Sequence, residues 1–121
     1  MINYKLAQKL KKAGFPQEST RYHYVKPANP PEGYENIMEV RNPGGRLNLL
    51  AAGYDIVACP TLEELIESFG KKRGFELIEE FGSDTRNFKA VINYPKLYMD
   101  RGKDPLEAVS LLFIRVNKYN L

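Results

Sequence analysis

With one histidine and one cysteine, this chain has few means of acid–base or nucleophilic chemistry at neutral pH. His23 sits inside "TRYHYVK", between Tyr22 and Tyr24, and reads as an ordinary strand histidine. Cys59 closes a predicted strand just before the helix cap Thr61. Free thiols at such places are commonly buried and inert, although a helix N-terminus can also lower a thiol's pKa. A lone thiol forms no internal disulfide and, by itself, no zinc site. The carboxylates Glu63, Glu64, Glu67, Glu79 and Glu80 read as helix-start charges and a solvated face. No metal-ligand cluster is visible in the spacing. The residues therefore assign no catalytic group, no cofactor and no metal.

Binding chemistry leaves more traces. "RNPGGRLN" places Arg41 and Arg46 on either side of two glycines. It lacks the glycine spacing and the Lys-Ser/Thr pair of a phosphate-binding Walker loop. A hairpin turn is the plainer reading, yet two guanidinium groups beside a turn could grip a phosphate or a carboxylate. "TRYHYVK" interleaves aromatic and basic side chains, as single-strand nucleic-acid binders do, and as many ordinary strands do. Arg21, Tyr22, Tyr24, Arg41 and Arg46 are thus the candidate anion- or nucleotide-binding set.

The net charge of +3 is too small to demand a nucleic-acid partner, but its distribution is uneven. Residues 1–26 carry a net +5, 27–60 a net −2, 61–85 a net −4 and 86–121 a net +4. Basic ends around an acidic middle imply internal complementarity, or a basic patch where the ends meet.

The elements that must hold these groups are legible for most of the chain. A length of 121 residues corresponds to a single domain, 1–121, with a proline-rich loop at 27–36 inside it. Ile2, Leu6, Leu10 and Ala13 recur at helical spacing and predict a helix over 3–13. Lys5, Lys9 and Lys12 run beside that stripe, and Gly14, Phe15 and Pro16 stop the helix. "STRYHYVK" predicts a strand with Thr20, Tyr22 and Tyr24 on one face and Arg21, His23 and Val25 on the other. "NIMEVR" and Tyr54–Cys59 are candidate strands within an ambiguous stretch, 37–59. "PTLEELIESFG" predicts a helix opened by a capping box of Thr61 and Glu64 and closed at Gly70. Lys71, Lys72 and Arg73 then meet the negative end of its dipole. "FELIEEF" and "NFKAVINY" predict a hairpin, and "PKLYMDRGK" a loop. Asp104, Pro105 and Glu107 open a last helix that runs to about Lys118.

The predicted order is α-β-β-β-α-β-β-α. It implies an α+β fold, with a mostly antiparallel sheet of four or five strands and about three helices. The last helix is apolar on nearly every side. Val109, Leu112, Phe113 and Val116 form one stripe, and Ala108, Leu111 and Ile114 a second. Such a helix is buried on more than one side. Its second side must be covered by the first helix or by another copy of the chain, which makes Leu111 and Ile114 a candidate self-association face.

No apolar run approaches the roughly 20 residues of a membrane span, and the N-terminus lacks the apolar stretch of a signal peptide. With one cysteine as well, the expectation is a cytoplasmic protein.

Three blocks, "NYKLAQKLKKAGFPQ", "CPTLEELIESFG" and "GKDPLEAVSLLFIRVNK", resemble small uncharacterised proteins encoded by bacteriophages and prophages. In those proteins a "CPTL-x-ELIE" helix start is followed by "GKTPEEAVA-x-LW-x-AL". The last two blocks also resemble the phage "ABA sandwich" type of domain, a sheet between helices. Leu112 and Phe113 stand where that pattern often has a tryptophan, and residues 27–58 match nothing in it. The resemblance implies a phage or prophage origin and the cytoplasm of a bacterial host, and carries over no catalytic residue. The expected function is a non-catalytic, self-associating binding or interaction protein of unknown target, with a host or phage protein among the partners it could take. The alternative is a nucleotide or nucleic-acid binder, including one that sequesters a host signalling nucleotide. An enzyme built on Cys59 or His23 is the third reading.

Overall fold

The computed structural model describes residues 1–18, 20–27, 32, 39–41, 53–70, 73–82 and 86–119. The fold is α+β. Helix α1 (Tyr4–Lys12) is followed by strands β1 (His23–Pro27), β2 (Glu39–Arg41) and β3 (Tyr54–Ala58). Helix α2 (Leu62–Ser68) leads to strands β4 (Glu76–Phe81), β5 (Arg86–Ile92) and β6 (Tyr98–Gly102), and helix α3 (Pro105–Tyr119) closes the order. Among the described residues the strands form two antiparallel sheets of three, ordered β2-β1-β3 and β4-β5-β6.

Two features correct the sequence reading. The strands divide between two sheets. "PKLYMDRGK" also contains a strand, β6, where a loop was expected. β6 carries no β-branched residue and only Tyr98 among strand-favouring types, so its composition gave little strand signal. Its alternation is visible only in place. Tyr98 and Asp100 are half-buried, Met99 and Arg101 are exposed, and Gly102 is buried beneath the start of α3. A Cβ at Gly102 would lie 2.5 Å from the Ala108 amide nitrogen, so only glycine admits this approach of strand to helix.

The helix ends follow their caps. The Asn3 side chain accepts from the Leu6 amide at 2.8 Å and starts α1. Gly14, at φ +94°, turns the chain out of it, and the Phe15 amide donates to the Leu10 carbonyl. Phe15 then packs edge to face on Phe113, with ring centres 5.2 Å apart. The Thr61–Glu64 capping box is present in full at α2. At α3 the Glu107 amide donates to Asp104 Oδ1 at 2.8 Å.

The core explains the over-apolar last helix. α3 packs on β5 and β6 and also against α1 and α2. It is the inner layer of the molecule, so most of its circumference is covered by its own chain. Ala108, Val109, Leu112, Phe113 and Val116 are buried in one cluster with Leu10, Tyr24, Val57, Leu65, Ala90 and Ile92. Full burial of a side chain such as Leu112 stabilises by about 1.5–3 kcal/mol. Cover on the second side, which the sequence leaves open between α1 and another copy of the chain, comes from α1 and α2 together. Leu111 and Ile114 remain half-buried, and Ile114 packs against the core cluster.

Candidate functional site: a two-part cleft and an apolar sheet face

The predicted binding residues do not gather into one site. Arg21 and Tyr22 precede β1 and are exposed, because the strand begins only at His23. Tyr24 is buried, and its hydroxyl donates to the Ile2 carbonyl. Its ring meets Tyr4 edge-on at 5.6 Å, so its polar tip and its face are both used inside the fold. Arg41 lies on β2, with its Cα opposite His23. Arg46, the "NPGG" turn, Lys71 and Lys72 lie outside the described residues.

His23 and Cys59, the one histidine and the one cysteine, are both buried. His23 is buried, and its Nε2 lies 2.6 Å from the Gln17 carbonyl and 3.2 Å from Thr20 Oγ1. The short contact to a carbonyl places the proton on Nε2. Nδ1 is buried and has no hydrogen-bond partner. Cys59 is 2% exposed, and burial pushes its thiol pKa above the ordinary value, against a smaller lowering by Tyr24. Burial thus works against the activation that a position before a helix can give. Among the described residues no cluster of three metal-ligating side chains forms. Nor is any helix there long and apolar enough to cross a membrane.

Two adjoining hollows open where the run-in to β1 meets the starts of α2 and α3. The first, about 230 Å³, is lined by Met1, Tyr22, Cys59, Pro60, Thr61, Leu62 and Leu106 and is chiefly apolar. The second, about 560 Å³, is lined by Arg21, Thr61, Leu62, Glu63 and Glu64. Thr61 and Leu62 belong to both, so the hollows are two halves of one cleft. Glu64 is fully engaged there. One carboxylate oxygen accepts from the Thr61 amide and the other from the Arg21 amide, each at 2.9 Å. Those bonds tie the chain before β1 to α2 and fix the cleft floor.

The second surface is the outer face of β4-β5-β6. The register places Glu76, Val91 and Met99 side by side, and Ile78, Lys89 and Arg101 beneath them. Leu77, Phe88, Ala90, Ile92 and Tyr98 point the other way, into the core. Ile78 and Met99 are each 37% exposed, and Val91 lies between them at 7%. Tyr94 and Leu97, in the connection to β6, are exposed at 64% and 62%. A charged row borders this apolar line. Arg101 Nε reaches Glu80 Oε1 at 2.8 Å, and Lys89 Nζ lies 3.9 Å from Glu80. The hydrogen bond from Arg101 holds the Glu80 carboxyl below its ordinary pKa.

Neither surface stood out in the sequence. The cleft joins residues 1, 21–22, 59–64 and 106, which only the fold brings together. The sheet face depends on β6, which composition concealed. Compared with known protein families, curated proteins and solved structures, the chain finds no match.

Proposed function

We propose that this chain is a small non-catalytic binding protein of the phage or prophage kind, which self-associates through the outer face of β4-β5-β6. The observation that carries this reading is the apolar line Ile78–Val91–Met99, bordered by the row Glu80, Lys89 and Arg101. An apolar centre inside a charged rim is the usual anatomy of a protein interface. Association occurs by face rather than by edge. The edge strand β4 carries Glu76, Glu79 and Glu80, and like charges oppose the pairing of two such edges. Leu111 and Ile114 are the weaker face, because α3 is already enclosed by β5, β6, α1 and α2. Resemblance to phage proteins supports the origin and the bacterial cytoplasm in this reading, and the non-catalytic part rests on how His23 and Cys59 are used.

The nucleotide reading has less support. Tyr24 is committed to the core, and Arg21 shares its hollow with the carboxylates of Glu63 and Glu64, which repel phosphate.

Native mass spectrometry tests the proposal. The chain should appear at a multiple of 13.9 kDa, and the double variant Ile78→Glu/Met99→Glu at the monomer mass. A wild-type chain that stays monomeric at every concentration would refute self-association. An oligomer that survives the double substitution would refute the face.

A further inference from the structure

We propose that the two-part cleft is a binding site for a free α-amino acid with a bulky apolar side chain. The argument is one of charge and shape. Arg21 and Glu63 both line the polar hollow, and both are exposed. Neither has an ion-pair partner among the described residues, and they do not pair with each other. One cation and two carboxylates thus line one hollow, with Arg21 and Glu63 unpaired among the described residues. Glu64 keeps its negative charge but is fixed in place, because its two carboxylate oxygens accept the Arg21 and Thr61 amides. A ligand carrying only phosphate would meet Glu63 and Glu64, and one carrying only an amine would meet Arg21. A zwitterion satisfies both, with its carboxylate on Arg21 and its ammonium on Glu63.

The adjoining hollow supplies the specificity. Its volume of about 230 Å³ and its lining of Tyr22, Pro60, Leu62 and Leu106 suit a phenyl, indole or branched aliphatic group. A dry apolar cavity of roughly 150 Å³ is enough to take benzene. Since the hollows share Thr61 and Leu62, a side chain in one leaves its α-carbon at the border of the other. Cys59 is a wall of this site and takes no part in chemistry there. The site is separate from the outer sheet face, so its test does not depend on self-association.

The test is a titration of the ¹⁵N-labelled full chain with L-phenylalanine, followed by amide chemical shifts. Saturable shifts at Tyr22, Leu62 and Leu106 are expected, with a dissociation constant in the low-millimolar range open to a ligand of this size. L-Alanine lacks the apolar side chain, 3-phenylpropionate the ammonium, 2-phenylethylamine the carboxylate and N-acetylphenylalaninamide both charges, and each should bind about fivefold more weakly. R21M and E63Q, both at exposed positions, should weaken L-phenylalanine by a similar factor while keeping the dispersed spectrum of the folded chain. No saturable shift up to about 20 mM, well past the range expected for such a ligand, would overturn the site. Equal binding of an analogue lacking either charge would overturn the zwitterion, and equal binding of L-alanine would overturn the apolar half.

Discussion

Cys59 shows how one side chain's surroundings decide its chemistry. Sequence position offered it both a buried, inert role and an activated one at a helix start. Burial favours the inert role, since taking a thiolate out of water is unfavourable and raises the thiol's pKa. Iodoacetamide should therefore modify native Cys59 far more slowly than the same thiol in denaturant, and a native rate equal to the denatured one would contradict this. Tyr24 shares the behaviour, with its pKa raised first by burial and then by Cys59. Both acids ionise at ordinary values in the unfolded chain and only at higher pH in the folded one. The folded chain then holds more protons, so stability is full below about pH 8.5 and falls as pH rises through the folded values. Ser110 makes the opposite kind of case. Its hydroxyl is fully buried in α3 without a hydrogen-bond partner. Ser110→Ala should raise the unfolding free energy by about 1 kcal/mol, read from the denaturant midpoint.

Elements were legible wherever local chemistry alone defines them. Asn3, Gly14, the Thr61–Glu64 box and Asp104 each fix a helix end within a few residues, and each is where the sequence placed it. β4 and β5 were legible through alternation. β6 was not, because in Tyr-Met-Asp-Arg-Gly only Tyr98 favours a strand, and the segment is held by pairing with β5. The first strand was read too long for a related reason. Thr20 to Tyr22 have strand-like composition but serve to anchor α2, through the Arg21 amide on Glu64. Gly102 is the position where strand and helix most constrain each other. Gly102→Ala would put a methyl group against the backbone of Glu107 and Ala108, and should cost roughly 1–3 kcal/mol in chemical denaturation. An unchanged midpoint would show that β6 does not press on α3 as described.

At the scale of the molecule, α3 is the organising piece. Its excess of apolar residues answers to β5 and β6 as well as α1 and α2. The sequence could say that such a helix needs two-sided cover, and could not say whether the second side was intramolecular. That depends on contacts between residues far apart in the chain, which periodicity does not encode. With α3 enclosed, the outer face of β4-β5-β6 is the surface proposed for association. Hydrogen–deuterium exchange of the intact protein over a range of concentrations tests that claim most directly. Protection over 76–80, 89–91 and 97–101 should grow with concentration, while 108–116 stays protected at every dilution. Concentration-dependent protection centred on Leu111 and Ile114, with the sheet face unchanged, would contradict it.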